Sequence, residues 1–365
     1  MNSRERVRLA LTREGVPDRI PLEFDLCKSL IEHFSAELGI EPEYARSYYE
    51  DLSYRISANA IRTSLGSDCV VVGGTVAASF EPIPVEGDIT LNEFGMKMKP
   101  TNLYVEVVEP PLKDAASVQD IESYNFPDPY TAGRFDIARS QIQKYGGEFF
   151  VIGTCELSIF ELAWQLTGLE KHMMALALQD DWLNPLYDRV EAWTTGIALQ
   201  LTRLGVDALW FGEDLGSQNS TLISPAMWRN QFKPRYLHLF DLLKQENPDL
   251  IIIMHSDGAV APLLDDFIEM GVHVYNPVQP NVPGSDPQEL KDKYGSSISF
   301  FGGIDQQALL PGGDIDEIRA EIKKRCEILG ANGGYLLAPA HIIQADVSPE
   351  TVKVMIEATK EFGVY

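Results

Sequence analysis

Two histidines and a set of carboxylates in this sequence stand directly after apolar runs. Leu250 to Met254 is unbroken and mostly β-branched, the pattern of a strand buried on both faces, and it ends in His255-Ser256-Asp257-Gly258. His341 follows a similar run that starts at Tyr335. Two imidazoles and a carboxylate suit Zn²⁺ or a similar ion, so His255, Asp257 and His341 are the candidate metal ligands. The plainer alternative is that each histidine bonds a loop carbonyl, and that Asp257 only caps a helix.

Glu213 and Asp214 are neighbouring carboxylates after the apolar run Val206 to Phe211. Two acids this close push at least one pKa upward, which suits acid–base work; binding a cation or capping a loop are the alternatives. Glu156 follows another apolar run, beginning at Phe149. Glu156, Glu213 and Asp214 are therefore the candidate catalytic groups. Asn276, Gln279 and Asp25, each just past a strand-like run, are candidates for substrate binding. His33, His172, His238 and His273 lie in helical stretches or within a strand and read as structural. Trp228, Phe232 and Tyr236, at helical spacing, read as core, and Cys155 as a small buried residue.

The elements that must place these groups are strands alternating with helices. Strand-like runs fall at 20–24, 69–72, 149–153, 206–211, 250–255, 272–276, 298–301 and 335–338. Helices open where Ser224-Pro225 and Ser348-Pro349 set an N-cap and a first-turn proline. Eight β/α units predict a closed parallel (β/α)8 barrel of the TIM type, whose active site lies at the C-terminal strand ends. An open doubly wound sheet is the second choice, but no Gly-x-Gly-x-x-Gly follows the first strand. Residues 75–130 have a different texture. Their alternation around Glu86-Gly87-Asp88 predicts a hairpin inserted after the second strand, too thinly apolar for a core of its own. The chain, 1–365, is thus expected to be one domain.

The formal net charge is −24 and the pI about 4.6, which disfavours nucleic-acid partners. No apolar run approaches the ~18 residues of a membrane span. Four scattered cysteines without a Cys-x-x-Cys pair fit reduced thiols in a cytoplasmic protein.

Several of these segments together resemble the uroporphyrinogen decarboxylase superfamily. They are Arg4-Glu5-Arg6-Val7 with Pro17-Asp18-Arg19-Ile20-Pro21, Glu213 to Gln218 with Ile223-Ser224-Pro225, and His255-Ser256-Asp257-Gly258. Asn276-Pro277-Val278-Gln279, Gly302-Gly303-Ile304-Asp305 and Ala338-Pro339-Ala340-His341 complete the set. The resemblance implies a (β/α)8 barrel. It also offers two activities, tetrapyrrole decarboxylation and methyl transfer to corrinoid (cobalamin) proteins. The Arg-Gln-Ala-Gly-Arg-Tyr segment with which the decarboxylases grip their polycarboxylate is absent between Met1 and Leu30. The chain is more similar to the methyltransferase branch.

Thiol-activating members of that branch carry His-x-Cys and a second cysteine, where this chain has Asp257 and, approximately, His341. Replacing thiolates by carboxylate and imidazole leaves a harder, more Lewis-acidic ion, suited to polarising an ether oxygen. The implied activity is O-demethylation: a small methyl donor gives its methyl group to cobalt. The cobalamin would be carried by a partner corrinoid protein, since the chain has no Asp-x-His-x-x-Gly. A homodimer is compatible with this reading. The alternatives are a decarboxylase of another substrate, with Asp25 or Asp214 as its acid, and a barrel that binds a small ligand without turning it over.

Overall fold

The computed structural model describes residues 1–45, 54–101 and 105–365. Its centre is a parallel sheet of seven strands. Numbered along the chain with the four strands of the insertion, they are β1 (Cys69–Gly73), the insertion strands β2 (Ile83–Glu86), β3 (Ile89–Leu91), β4 (Lys97–Pro100) and β5 (Val105–Glu109), then β6 (Phe150–Cys155), β7 (Ala208–Gly212), β8 (Ile251–His255), β9 (Val274–Val278), β10 (Ser299–Ile304) and β11 (Tyr335–Pro339). The parallel order is β1-β6-β7-β8-β9-β10-β11, with every neighbouring pair in parallel register. Helices link successive strands, giving a curled, TIM-like α/β fold.

Among the described residues seven parallel strands, not eight, form the central ladders. The predicted strand at 20–24 runs beside β11 but makes only single parallel bridges, Leu22 to Leu337 and Leu26 to Ile343. Leu337 N–H donates to Pro21 O at 3.0 Å, and on the other side Asp68 N–H donates to Leu22 O at 2.8 Å. The reason is local. Pro21 has no N–H to give, and the Leu22 N–H is taken by the Asp68 carboxylate at 2.9 Å, so no ladder can run.

The insertion also differs from its prediction. It is a four-stranded antiparallel sheet, β2-β3-β4-β5, not a hairpin, and it follows the first ladder strand. Gly87, at φ 58°, turns the chain between β2 and β3 as the Glu86-Gly87-Asp88 signal implied. The run from Tyr104 to Val108 also suggests a strand from its sequence; Val105–Glu109 forms β5, and Tyr104 lies outside the described residues. The insertion leans on the long helix Leu183–Leu204, where Phe94 meets Trp193 edge-on with centroids 5.1 Å apart.

Two apolar layers show which way each strand residue points. Cys69, Val71, Phe150, Ile152, Ala208, Trp210, Ile251, Ile253, Val274, Phe301, Leu336 and Ala338 form the interior of the curl, and Val7 and Leu11 of helix Ser3–Thr12 join them. The alternate residues, such as Val70, Val72, Val151, Leu209, Phe211, Ile252, Met254 and Tyr275, pack outward under the helices. This period of two decides the fate of each polar group at a strand end.

Helix Ser3–Thr12 plugs the end of the curl where the strands begin. Asp68 and Asp207, which precede β1 and β7, are buried there. Asp68 pairs with Arg6 at 2.8 Å and Arg19 at 2.8 Å, and Asp207 with Arg4 at 3.0 Å and Arg8 at 2.9 Å. The arginine-rich opening of the chain is therefore scaffold. Trp228, Phe232 and Tyr236 are fully buried, as expected of core. No helix among the described residues is long and apolar enough to cross a membrane.

Candidate active site

At the opposite end of the curl, the C-terminal ends of the strands, lies a cavity of about 460 Å³ including its open mouth. It is lined by Glu23, Asp25, Arg55, Thr154, Trp210, His255, Asn276 and His341 above an apolar floor of Val71, Ile152 and Phe301. His255 and His341, 86 positions apart in sequence, thus meet at one cavity. His255 shares the strand parity of Ile251 and Ile253 and so points inward, as do Thr154, Trp210 and Asn276.

His255 is held from behind. Its Nδ1 is 2.7 Å from Asn276 Oδ1, which also accepts from Trp210 Nε1 at 2.7 Å. The indole can only donate, so that atom is the amide oxygen and the imidazole proton is on Nδ1. Nε2 is left with its lone pair facing two carboxylates. Burial holds the ring neutral, its pKa lowered to about 4. Orienting a ligand imidazole through its other nitrogen in this way is common at metal sites.

Asp214, His255 and Asp257 each offer a ligand atom, and these atoms all lie within 4.8 Å of one another. His255 Nε2 is 3.7 Å from Asp214 Oδ1, and that oxygen accepts from the Asp257 N–H at 3.1 Å. A tetrahedral ion with bonds of about 2.0–2.1 Å sets its ligand atoms about 3.3 Å apart, so small side-chain rotations suffice to close the set around one. The site fits a divalent cation with nitrogen and oxygen ligands. His341 is not one of the three; its Nε2 lies 3.7 Å from Asp257 Oδ2, at the edge of the cluster. Asp214, read from the sequence as an acid or base, takes the place expected of His341. Burial pushes Asp257 up to about 7 and raises Asp214 as well.

Glu213 has the opposite strand parity to Asp214 and turns away from the cavity. Its carboxylate accepts from the N–H groups of Phe160 at 2.7 Å and Glu161 at 2.9 Å and from the Tyr236 hydroxyl. It thereby caps helix Ile159–Thr167. Glu156 lies at a separate small hollow with Cys155, Trp193 and Thr194. Cys155 is buried, and burial pushes its thiol pKa upward. Asp25 lines the main cavity but is shared by two arginines, Arg62 at 2.6 Å and Arg55 at 2.8 Å. Gln279 accepts from the Gly258 N–H at 2.7 Å. With Gln218, Asp257, Asp305, Gln307 and His341 it lines an outer vestibule of about 380 Å³. His341 belongs to both spaces, so the acidic cluster stands between the inner cavity and the vestibule.

Three cavity groups were not singled out from the sequence, Glu23, Arg55 and Trp210, nor was Arg62, which is buried behind them and pairs with Glu23 and Asp25. Trp210 sits inside an apolar run, and only its parity shows that it faces inward. Its ring is 4.3 Å from that of His255 and 4.2 Å from the Arg55 guanidinium. Arg55 and Arg62 come from beside and within helix Asn59–Leu65, where no strand-end rule reaches them.

A seven-stranded TIM-like sheet with an N/O-ligand cluster at its C-terminal mouth defines an α/β enzyme architecture of barrel type. The chain belongs to the uroporphyrinogen decarboxylase (URO-D) family, whose sequence profile matches residues 83–362. It is 22% identical over 260 residues to the uroporphyrinogen decarboxylase of Legionella pneumophila (strain Lens), covering 69% of this chain and 70% of that one. A shorter stretch of 79 residues, 22% of each chain, is 32% identical to the uroporphyrinogen decarboxylase of Methylococcus capsulatus. The fold is similar to that of a methyltransferase from Methanosarcina mazei, with TM-score 0.73, 19% identity and 99% of both chains covered.

Proposed function

We propose that this protein is a methyltransferase that moves a methyl group from a small methylated donor, a methyl ether by preference, to the cobalt of a corrinoid held by a separate protein. The observation that carries this reading is the Asp214–His255–Asp257 cluster, placed between a small inner cavity and an open vestibule. The end-to-end likeness to a methyltransferase fold supports it. So does the arginine pattern of the chain, whose N-terminal arginines are spent on Asp68 and Asp207 at the far end. They are not there to clamp a polycarboxylate at the mouth.

Asp214, His255 and Asp257 would hold a divalent cation, Zn²⁺ being the expected one; when bound it supplies Lewis acidity toward an ether oxygen. Asn276 fixes the ring of His255 and its tautomer. The inner cavity holds the donor, and its apolar floor excludes water from the carbon–oxygen bond. In the reaction that bond breaks as a carbon–cobalt bond forms, cobalt(I) becomes cobalt(III), and the released oxygen takes up one proton. His341, beside Asp257 and open to the vestibule, would pass that proton.

The test is to mix the protein, with and without ZnCl₂, with a reduced corrinoid protein and a panel of methyl ethers, and to follow the cobalt absorption. Loss of the cobalt(I) band with one ether, and not with His255→Ala, is expected. Persistence of the band with every donor refutes the reading; a porphyrin-fluorescence assay then decides for decarboxylation.

A further inference from the structure

The inner cavity gathers more acids than cations. From Ile20 to Asp25 the side chains alternate: Ile20, Leu22 and Phe24 pack outward in the core, whereas Glu23 and Asp25 turn inward and line the cavity. Arg62 Nη1 donates to Asp25 Oδ1 at 2.6 Å and to Glu23 Oε1 at 2.8 Å, and Arg55 Nε lies 2.8 Å from Asp25 Oδ2. Glu156 and Asp257 are also within electrostatic reach of Arg55, so four carboxyl groups stand around two guanidiniums. A buried surplus of acids is relieved by keeping a proton.

The contacts show which carboxyl keeps it. Both Asp25 oxygens face a guanidinium nitrogen, so a proton there would displace an ion pair. Glu23 has only Oε1 on Arg62, through a nitrogen it shares with Asp25. Its Oε2 makes no hydrogen bond among the described residues, and the side chain, 4% exposed, lines the cavity. Burial, and after it the Asp25 carboxylate, push Glu23 up to about 8. The other charged or titratable groups about it are Arg55, Arg62 and the buried Cys69 thiol of β1. The remaining acids and bases nearby are committed elsewhere: Asp214, His255 and Asp257 to the cluster, and His341 to its outer edge.

We propose that Glu23 is the catalytic acid of the inner cavity, a neutral carboxyl whose Oε2–H bonds the donor's oxygen and protonates it as the methyl group leaves. When the carbon–oxygen bond breaks, its electron pair stays on the oxygen. Cobalt(I) supplies the pair for the new carbon–cobalt bond, and the oxygen takes the proton from Glu23 Oε2. Glu23 is left as a carboxylate beside Arg62 and Arg55. It regains a proton from solvent by way of His341, which lines both the cavity and the vestibule. The identity of the receiving oxygen rests on the methyl-transfer reading; the place of the proton does not.

Infrared difference spectra of the full chain with ZnCl₂ test the proton directly. The unmodified protein minus Glu23→Gln should show a protonated-carboxyl band at pH 7 that fades as pH rises past about 8. Single-turnover transfer to a reduced corrinoid protein tests the chemistry. Glu23→Gln should slow transfer from methoxybenzene roughly a hundredfold or more, within the range of acid catalysis. It should slow 4-nitromethoxybenzene far less, because that leaving oxygen needs little help from a proton; a merely structural role would slow both alike. Glu23→Asp keeps a carboxyl on a shorter stem and should recover part of the loss. In the unmodified protein the methoxybenzene rate should fall above about pH 8, and this limb tests the acid even if Glu23→Gln fails to fold.

A difference spectrum without that band overturns the proposal, as does a folded Glu23→Gln protein that slows both ethers equally or neither. If the band is present and no ether methylates cobalt, the proton is on Glu23 and the methyl-transfer reading is what falls. If ethers methylate cobalt at a rate that Glu23→Gln leaves untouched, that reading stands and this acid falls.

Discussion

The two ends of the curled sheet treat buried charge in opposite ways. Where the strands begin, Asp68 and Asp207 are nearly inaccessible, and each is matched by arginines within 3.0 Å. Asp68 also accepts from Ser3 and from the Leu22 N–H. Where the strands end, Asp214 and Asp257 face one another and a neutral imidazole, with no comparable pairing to arginine or lysine among the described residues. A fold that satisfies its acids so fully at one end, and leaves this one pair short of cations at the other, where Asp25 still has its arginines, is stable through the first and ready for a ligand through the second.

The sharpest way to break this contrast is to exchange the consequences of its two ends. His255→Ala should lower affinity for added Zn²⁺ by more than the roughly 100-fold typical of losing a supporting hydrogen bond, and abolish methyl transfer, with little change in melting temperature. Equilibrium dialysis and thermal melts check both halves. Asp68→Asn should do the reverse, costing about 3–5 kcal/mol in denaturant unfolding as buried partners lose their charge, while Zn²⁺ affinity is kept. If the first variant unfolds, or the second loses metal, the division between the ends is not real.

A smaller effect sharpens the mouth itself. Asn276→Ala frees the His255 ring and should weaken Zn²⁺ roughly 10–100-fold without removing a ligand. Glu213→Gln, one residue from Asp214, should leave Zn²⁺ binding within a few-fold but cost about 1 kcal/mol or more through its helix cap.

The smallest effect is on pH. Asp257 in the folded chain holds its proton up to about 7, above the ordinary carboxylate range. The folded state then binds more protons than the unfolded one across the interval between, and stability falls as pH rises through it. Melting temperature of the metal-free protein should therefore decline from about pH 5 to 7. Asp257→Asn should flatten that slope, and added Zn²⁺, which takes the place of the proton, should offset it.

Much of the site was legible because strand ends are visible as apolar runs that stop in polar residues. His255, Asp257, Asn276 and His341 were found in that way. What the runs do not show is facing. A strand buried on both sides reads as continuous apolar sequence, so Glu213 and Asp214 looked equivalent, although one caps a helix and the other joins the cluster. Trp210 was hidden for the same reason. Arg55, which lines the cavity, and Arg62, which pairs with Asp25 behind it, come from the helical side and carry no spacing signal. The segment 20–24 had the composition of a strand, but Pro21 and the Asp68 side chain intercept its ladder. The arginines that helped to suggest the family hold the scaffold, far from the chemistry.

The plug formed by helix Ser3–Thr12 has a kinetic consequence. With that end stoppered, the cavity opens, among the described residues, at the strand ends where the cluster stands. On the proposed methyl-transfer reading the two reactants would queue: the smaller would enter first, the larger would then close the mouth, and the spent small molecule would leave after it. Steady-state rates should show compulsory order, with the large reactant in excess trapping the small one inside.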